Sequence, residues 1–185
     1  MKTLCGIDEA GRGPIAGDLV VAGCIFLPHT KITGLNDSKK ISEKRRSELF
    51  EEIRPNTKNH IVVISTQDVD KFGISKCMTK ALLEIKKHLN ADSYLFDGNT
   101  TFGVSGLDTM VKADGKIAEV SAASILAKVT HDRNIIRDSR AYPEYSFERH
   151  KGYGTAFHVE MIKKHGYCDI HRKSFKLKAL QGTLL

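Results

Sequence analysis

The chain has 185 residues, of which 41% are hydrophobic and 28% charged, the ordinary balance of one soluble globular domain with a sizeable core. Its formal net charge of +7 favours a polyanionic partner without naming one. Four scattered cysteines with no CxxC pair exclude a disulfide framework and a zinc signature and fit a reducing cytoplasm. The amino terminus turns acidic too soon for a signal peptide, and no apolar run approaches membrane-spanning length.

The first predicted strand is the short apolar run Thr3, Leu4, Cys5 and Ile7. It leads into Gly6-Ile7-Asp8-Glu9-Ala10-Gly11-Arg12-Gly13-Pro14, the stretch around which the chain is organised. Successive side chains alternate faces along a strand, so Asp8 and Glu9 point apart unless the strand ends between them, and the turn residues that follow supply that ending. Carboxylates at a strand end invite a hard cation. Exposed N–H groups of the glycine turn, with Arg12, invite a phosphate. An isolated Asp-Glu pair would be an acidic strand end and a solvated turn; here glycines, arginine and proline crowd against the pair.

Residues 19–26 are apolar and β-branched, which predicts a buried strand, paired with the first as an antiparallel hairpin. Asn36-Asp37-Ser38-Lys39-Lys40 is a polar loop. Ser42 caps a predicted helix to about Ile53, with Leu49, Phe50 and Ile53 on one face. A third strand covers 60–65. Ile74, Cys77, Met78, Ala81, Leu82, Ile85 and Leu89 then repeat at helical spacing as a core stripe, with Lys76, Lys80, Lys86 and Lys87 on its wet faces.

A short strand over 93–96 ends in Asp97-Gly98-Asn99, again an acid at the end of an apolar strand. If this strand neighbours the first, Asp97 sits beside Asp8. A further short strand precedes Val111-Lys112-Ala113-Asp114, and a helix follows over about 119–138. Its small residues Ser121, Ala122, Ala123 and Ser124 permit close packing on the sheet, and Ile125, Leu126, Val129 and Ile136 form an apolar face. Lys128 on this helix can reach a phosphate or a carboxylate. Asp132 lies well inside the helix and reads as structural, an ion-pair partner. Residues 142–149 read as loop, and a short helix ends at Gly166. Tyr153, between two glycines, either stacks on a base or sugar or packs against its own loop.

Ordered motifs along the chain resemble the ribonuclease HII family from Gly6 to about Phe175. The first is Asp8-Glu9-Ala10-Gly11-Arg12-Gly13-Pro14. The second is Asp37-Ser38-Lys39-Lys40. Next come the strand-end Asp97, and Lys112-Ala113-Asp114 ahead of an Ala-Ala-Ser-Ile-Leu-Ala-Lys helix. Last are Tyr153 between its glycines and the tail His171-Arg172-Lys173-Ser174-Phe175. His131 stands where the family usually has arginine, which bears on any pairing with Asp132.

The resemblance implies an α/β fold of the ribonuclease H type, a mixed central sheet flanked by helices, in one domain over 1–185. A small helical substrate-binding extension from about 140 would complete it. It also implies an endonuclease that cuts the RNA strand of RNA–DNA hybrids and single ribonucleotides in duplex DNA, leaving 5′-phosphate and 3′-hydroxyl ends. Asp8, Glu9, Asp97 and Asp114 would hold two Mg²⁺ or Mn²⁺ ions. Gly11, Arg12, Gly13, Lys39, Lys40, Lys128 and Tyr153 would meet the substrate, and the tail's basic residues would touch nucleic acid or serve packing. A cytoplasmic monomer is expected.

Three other readings are weighed against this one. A non-catalytic nucleic-acid-binding module would lack one or more of the four acids. A nucleotide-dependent phosphotransferase would carry a GxxxxGK[ST] loop, and none is present. The ribonuclease HIII family usually carries an extra amino-terminal domain and lacks the Gly-Arg-Gly triplet.

Overall fold

The protein is described here over residues 2–176 by a computed structural model. Its centre is a five-stranded sheet of order β3-β2-β1-β4-β5, formed by β1 (Leu4–Ala10), β2 (Leu19–Phe26), β3 (Thr57–Ile64), β4 (Ser93–Asp97) and β5 (Asp108–Met110). β1–β2 and β2–β3 are antiparallel, while β1–β4 and β4–β5 are parallel. This is the mixed sheet the motifs imply.

The unbroken apolar run of β2 follows from burial on both faces. Leu19, Val21 and Ile25 pack with Cys77, Met78, Leu82 and Ile85 of α2 (Thr66–His88). Val20, Ala22 and Cys24 alternate onto the other face. There they meet Leu49, Phe50 and Ile53 of α1 (Glu43–Asn56) and Ala122, Ala123 and Leu126 of α3 (Ala118–Ser139). The small residues of α3 let it lie directly on β1. A Cβ on Gly6 would stand 2.3 Å from the carbonyl carbon of Glu119. On the apolar face of α3 the fully buried isoleucine is Ile135, and Ile136 is only half-buried. No helix among the described residues is long and apolar enough to cross a membrane.

Several expectations are corrected. β1 does not end between Asp8 and Glu9: pairing with β2 runs on through Glu9 to Val21 and Ala10 to Val20. What ends is pairing with β4, whose last partners are Ile7 and Phe96. Both acids therefore lie beyond that last pair, on opposite faces of one strand at an open sheet end. α2 begins at Thr66, eight positions before Ile74, with the Ser65 hydroxyl accepting from the Asp68 N–H. Gly73, at φ +77°, breaks the helical geometry and hides that first part from a periodicity count. Lys86 is not merely a wet face, because its ammonium donates to the carbonyls of Ser105 and Gly106 at 2.6 and 2.8 Å.

Residues 142–149 are not loop. A 3₁₀ turn, Pro143–Tyr145, leads into α4 (Phe147–His150), and both Tyr145 and Phe147 are buried. With α5 (Ala156–His165) they form a small third core around Ile15, Ala16, Ile135, Ile162 and Cys168. Backbone bonds tie this extension to the loop after β1: Ile15 N–H to Gly152 O at 2.9 Å and Gly17 N–H to Ile170 O at 2.8 Å. The last part of the expected extension, 177–185, lies outside the described residues.

Candidate active site

Asp8 on β1, Asp97 at the end of β4 and Asp114 in the 3₁₀ turn Ala113–Gly115 converge. One carboxylate oxygen from each lies within 4.8 Å of the others. The parallel pairing of β1 with β4 places Asp97 beside Asp8. Asp97 also builds the position of Asp114: its Oδ1 accepts from the Lys112 N–H at 2.9 Å and its Oδ2 from the Asp114 N–H at 3.1 Å. Lys112 takes the left-handed conformation, φ +59°, that folds this turn back. The Ser121 hydroxyl in the first turn of α3 donates to the Asp114 carbonyl.

Glu9 completes the set differently. Its Oε1 takes an ion pair from Arg12 at 3.4 Å, and its Oε2 is buried with no hydrogen-bond partner among the described residues. A buried acceptor without a donor is costly and asks for a cation. The neighbouring trio Asp8, Asp97 and Asp114 offers the oxygen donors a hard divalent ion takes.

The electrostatics point the same way. Burial, and then the charge of Glu9, push the Asp8 carboxyl well above the usual carboxylate range. Burial also raises Glu9, against the pull of Arg12. Asp114 is pushed up to about 6 by burial and by the neighbouring Asp97 and Asp37. Crowded carboxylates that resist ionisation bind a proton or a metal in preference to water.

Sequence reasoning missed two members of this floor. Asp37 faces Asp114 while its Oδ1 accepts from the Lys39 N–H at 2.9 Å, capping the 3₁₀ turn Ser38–Lys40. An aspartate ahead of a turn is ordinary in a sequence, and the motif that contains it drew attention to its lysines alone. Ser124, read only as a small packing residue, bonds the Ser38 hydroxyl at 2.9 Å and stands against Asp8.

These acids floor a cleft of about 840 Å³ whose rim is cationic. Arg12, Lys39, Lys40 and Lys128 all line it, together with Lys112 and Lys116. The Lys128 ammonium pairs with Asp132 at 2.9 Å and stands 5.8 Å from the Tyr153 ring centre. Asp132 is thus an ion-pair partner. Burial opposes its charge, but hydrogen bonds from His131 and Lys128 hold its carboxyl below the usual range.

The glycine turn forms one wall. Gly11 has φ +86°, and a Cβ there would meet the Asp18 carbonyl at 2.3 Å. Gly13 faces Tyr153, whose ring is 4.0 Å from where a Cβ would be. Tyr153 is 44% exposed and lines the cleft rather than a core. Arg172, left between nucleic-acid contact and packing, is 1% exposed. It donates to the carbonyls of Gly17, at 2.6 and 2.9 Å, and Pro14, at 2.9 Å, so it serves the fold of this wall.

A second group, His60, Glu84 and His88, also brings donor atoms within 4.8 Å. Its imidazoles are stacked, 4.0 Å apart and 6° from parallel. An imidazole binds a metal in its own ring plane, and two stacked planes share no such point, so the group is a stacked pair at the surface.

The sequence matches the family model for Ribonuclease HII over residues 5–178. It is 56% identical to the ribonuclease HII of Sulfurovum sp. over 184 residues, spanning 100% of this chain and 97% of that one. Against the ribonuclease HII of Campylobacter concisus it is 50% identical over 178 residues, 96% of this chain and 95% of the other. Among solved structures, the PCNA:RNase HII complex from Archaeoglobus fulgidus superposes with a TM-score of 0.82 at 28% identity, covering 95% of this chain and 96% of that chain. Ribonuclease H2 from Pyrococcus horikoshii shares the fold, with a TM-score of 0.78 at 24% identity and 94% of each chain covered.

Proposed function

The chain belongs to the ribonuclease HII family, and we propose that it cuts the RNA strand of RNA–DNA hybrids and single ribonucleotides embedded in duplex DNA. The products carry 5′-phosphate and 3′-hydroxyl ends, which places the enzyme in ribonucleotide removal during DNA replication and repair. The observation that carries this reading is the carboxylate trio Asp8, Asp97 and Asp114, within 4.8 Å, at the foot of a cation-rimmed cleft.

Asp8, Glu9, Asp97 and Asp114 would hold two Mg²⁺ or Mn²⁺ ions. An all-oxygen donor set suits either ion. Bound there, such ions supply an acidified water for in-line attack and charge stabilisation for the departing 3′ oxygen. The chain's own residues do the rest. Asp97 keeps Asp114 in place through the two backbone bonds it accepts. Arg12, Lys39, Lys40 and Lys128 take the phosphates on either side of the cut, giving charge-assisted hydrogen bonds that fix register without reading sequence. The backbone of Gly11 and Gly13 approaches the ribose closely enough to read its 2′-hydroxyl, which both donates and accepts. Tyr153, held out from the extension that begins near residue 140, stacks on the following sugar or base, where a second 2′-hydroxyl fits badly.

A non-catalytic nucleic-acid-binding module is disfavoured by the presence of all four acids, and the Gly-Arg-Gly triplet separates the chain from the ribonuclease HIII pattern. The test is cleavage of an end-labelled RNA–DNA hybrid with Mg²⁺ or Mn²⁺, beside an all-DNA duplex. Cutting confined to the RNA strand supports the reading. An uncut hybrid, or equal cutting of the DNA duplex, rejects it.

A further inference from the structure

The C-terminal extension contains a buried polar chain that the chemistry of the cleft does not use. The Cys168 N–H reaches His171 Nδ1 at 2.9 Å, His171 Nε2 faces His158 Nε2 at 2.9 Å, and His158 Nδ1 meets the Tyr153 carbonyl at 2.9 Å. His158 and His171 are 0% and 1% exposed.

The protons in this chain can be assigned from its two ends. A carbonyl only accepts, so His158 carries its proton on Nδ1 and its Nε2 is bare. An amide N–H only donates, so His171 Nδ1 is bare and its proton sits on Nε2. The remaining contact is then His171 Nε2–H donating to His158 Nε2. One neutral tautomer of each ring satisfies all three bonds. A second proton on either ring sets N–H against N–H. The Tyr153 carbonyl is thereby fixed twice, by His158 and by the Thr155 N–H at 2.8 Å.

Arg172, the next residue after His171, holds the other wall. Its guanidinium binds the carbonyls of Pro14 and Gly17, and its own N–H donates to Ile15 O at 2.8 Å. Ala16 and His171 form a β-bridge. Two consecutive residues thus reach opposite ways, one toward Tyr153 and one toward the Gly-Arg-Gly-Pro turn.

We propose that His158 and His171 are positioning residues for ribonucleotide recognition: through the Tyr153 carbonyl they set the distance between the Tyr153 ring and the glycine turn that Arg172 clamps. This rests on the reading that Tyr153 and the turn together recognise the ribose–deoxyribose junction.

The surroundings keep the chain neutral. The groups facing the two rings are His150 from α4, Tyr145 from the 3₁₀ turn, and Tyr167, Cys168 and Lys173 from the C-terminal segment. None is a carboxylate, and burial pushes both histidines down to about 4.

The test compares kcat/KM on a single-ribonucleotide duplex with that on a continuous RNA–DNA hybrid. His158→Gln places its amide toward His171 and loses the bond to Tyr153, whereas His158→Asn keeps a donor for Tyr153. His158→Gln is expected to lose about tenfold on the single-ribonucleotide duplex, the scale of a lost supporting bond, and clearly less on the hybrid. His158→Asn restores the wild-type ratio of the two rates. In a Tyr153→Ala background, His158→Gln adds no further change to that ratio, since both act through one ring.

A ratio unchanged by His158→Gln but shifted by Tyr153→Ala overturns the positioning role and leaves the reading of the cleft intact. A ratio unchanged by Tyr153→Ala overturns both. Should the His158 variants fail to fold, wild type gives a second test: with both histidines held at about 4, the chain stays neutral and the ratio of the two rates should be constant between about pH 8 and 6. A ratio that drifts toward the Tyr153→Ala value in that range contradicts the proposal.

Discussion

Asp97 accepts the backbone N–H of Asp114 at 3.1 Å, so one acid of the cluster builds the turn that carries another. With its second oxygen bonded to the Lys112 N–H, its carboxylate has a structural duty beside the ligating one we propose for it.

Asp97→Asn therefore separates the two duties. The amide keeps one acceptor for the turn and removes the charge. Cleavage is expected to fall by more than the roughly 10–100-fold of a lost supporting contact, with duplex binding and the unfolding transition little changed. Activity within severalfold of wild type would contradict the metal-site assignment. Asp8→Asn should behave alike.

In chelator, the crowded acids work against the fold as pH rises. A carboxyl held at about 6, as Asp114 is, binds its proton more tightly folded than unfolded, where it titrates near 3.9. Its contribution is present at low pH and is lost as pH rises through about 6. Asp114→Asn should flatten that loss and raise the melting temperature of the metal-free protein at pH 7. The gain is about 2–4 °C for each kcal/mol recovered. Mg²⁺ should raise that of wild type instead, and bind more weakly as pH falls from 7 to 5. A metal-free Asp114→Asn protein that melts lower than wild type would count against charge crowding.

Much of this was legible beforehand, and for physical reasons. The run of β2 could be read because both faces are buried, and Asp97 beside Asp8 was expected if their strands were neighbours, which β1 and β4 are. The parts that stayed hidden depend on partners far along the chain. Nothing local to Asp37 distinguishes a helix-capping aspartate from one that faces Asp114. The strand running through Asp8 and Glu9 is set by pairing with β2, which outlasts pairing with β4. Tyr145 and Phe147 looked like loop because Pro143, Glu144 and Ser146 surround them, yet a third core away from the sheet buries both.

Arg172 is the clearest such case, a basic tail residue whose partners lie about 155 positions earlier. It is buried against carbonyls, and burial lowers its pKa to about 10. Arg172→Met should cost about 2–6 kcal/mol, from leaving the Pro14 and Gly17 carbonyls unsatisfied at about 1–3 kcal/mol each. Arg172→Lys should not restore it, since an ammonium lacks the planar fork. Chemical denaturation measures both, and a loss below about 1 kcal/mol for Arg172→Met would refute the clamp.

Duplex binding in Ca²⁺, or by Asp97→Asn, should weaken steeply with salt, log K falling by about 0.9 per phosphate neutralised on B-form DNA. Alanine at Lys39, Lys40 or Lys128 should each lower the slope by about one such step. Slopes identical to wild type in all three would remove these lysines from the phosphate path.

The most direct measurement is to incubate the protein and Mg²⁺ with an end-labelled DNA duplex holding one ribonucleotide, and to map both new ends. One cut on the 5′ side of the ribonucleotide, leaving a 3′-hydroxyl and a 5′-phosphate and lost in Asp97→Asn, is the predicted result. An uncut duplex, a 2′,3′-cyclic phosphate end, or the same cut by Asp97→Asn would contradict the account.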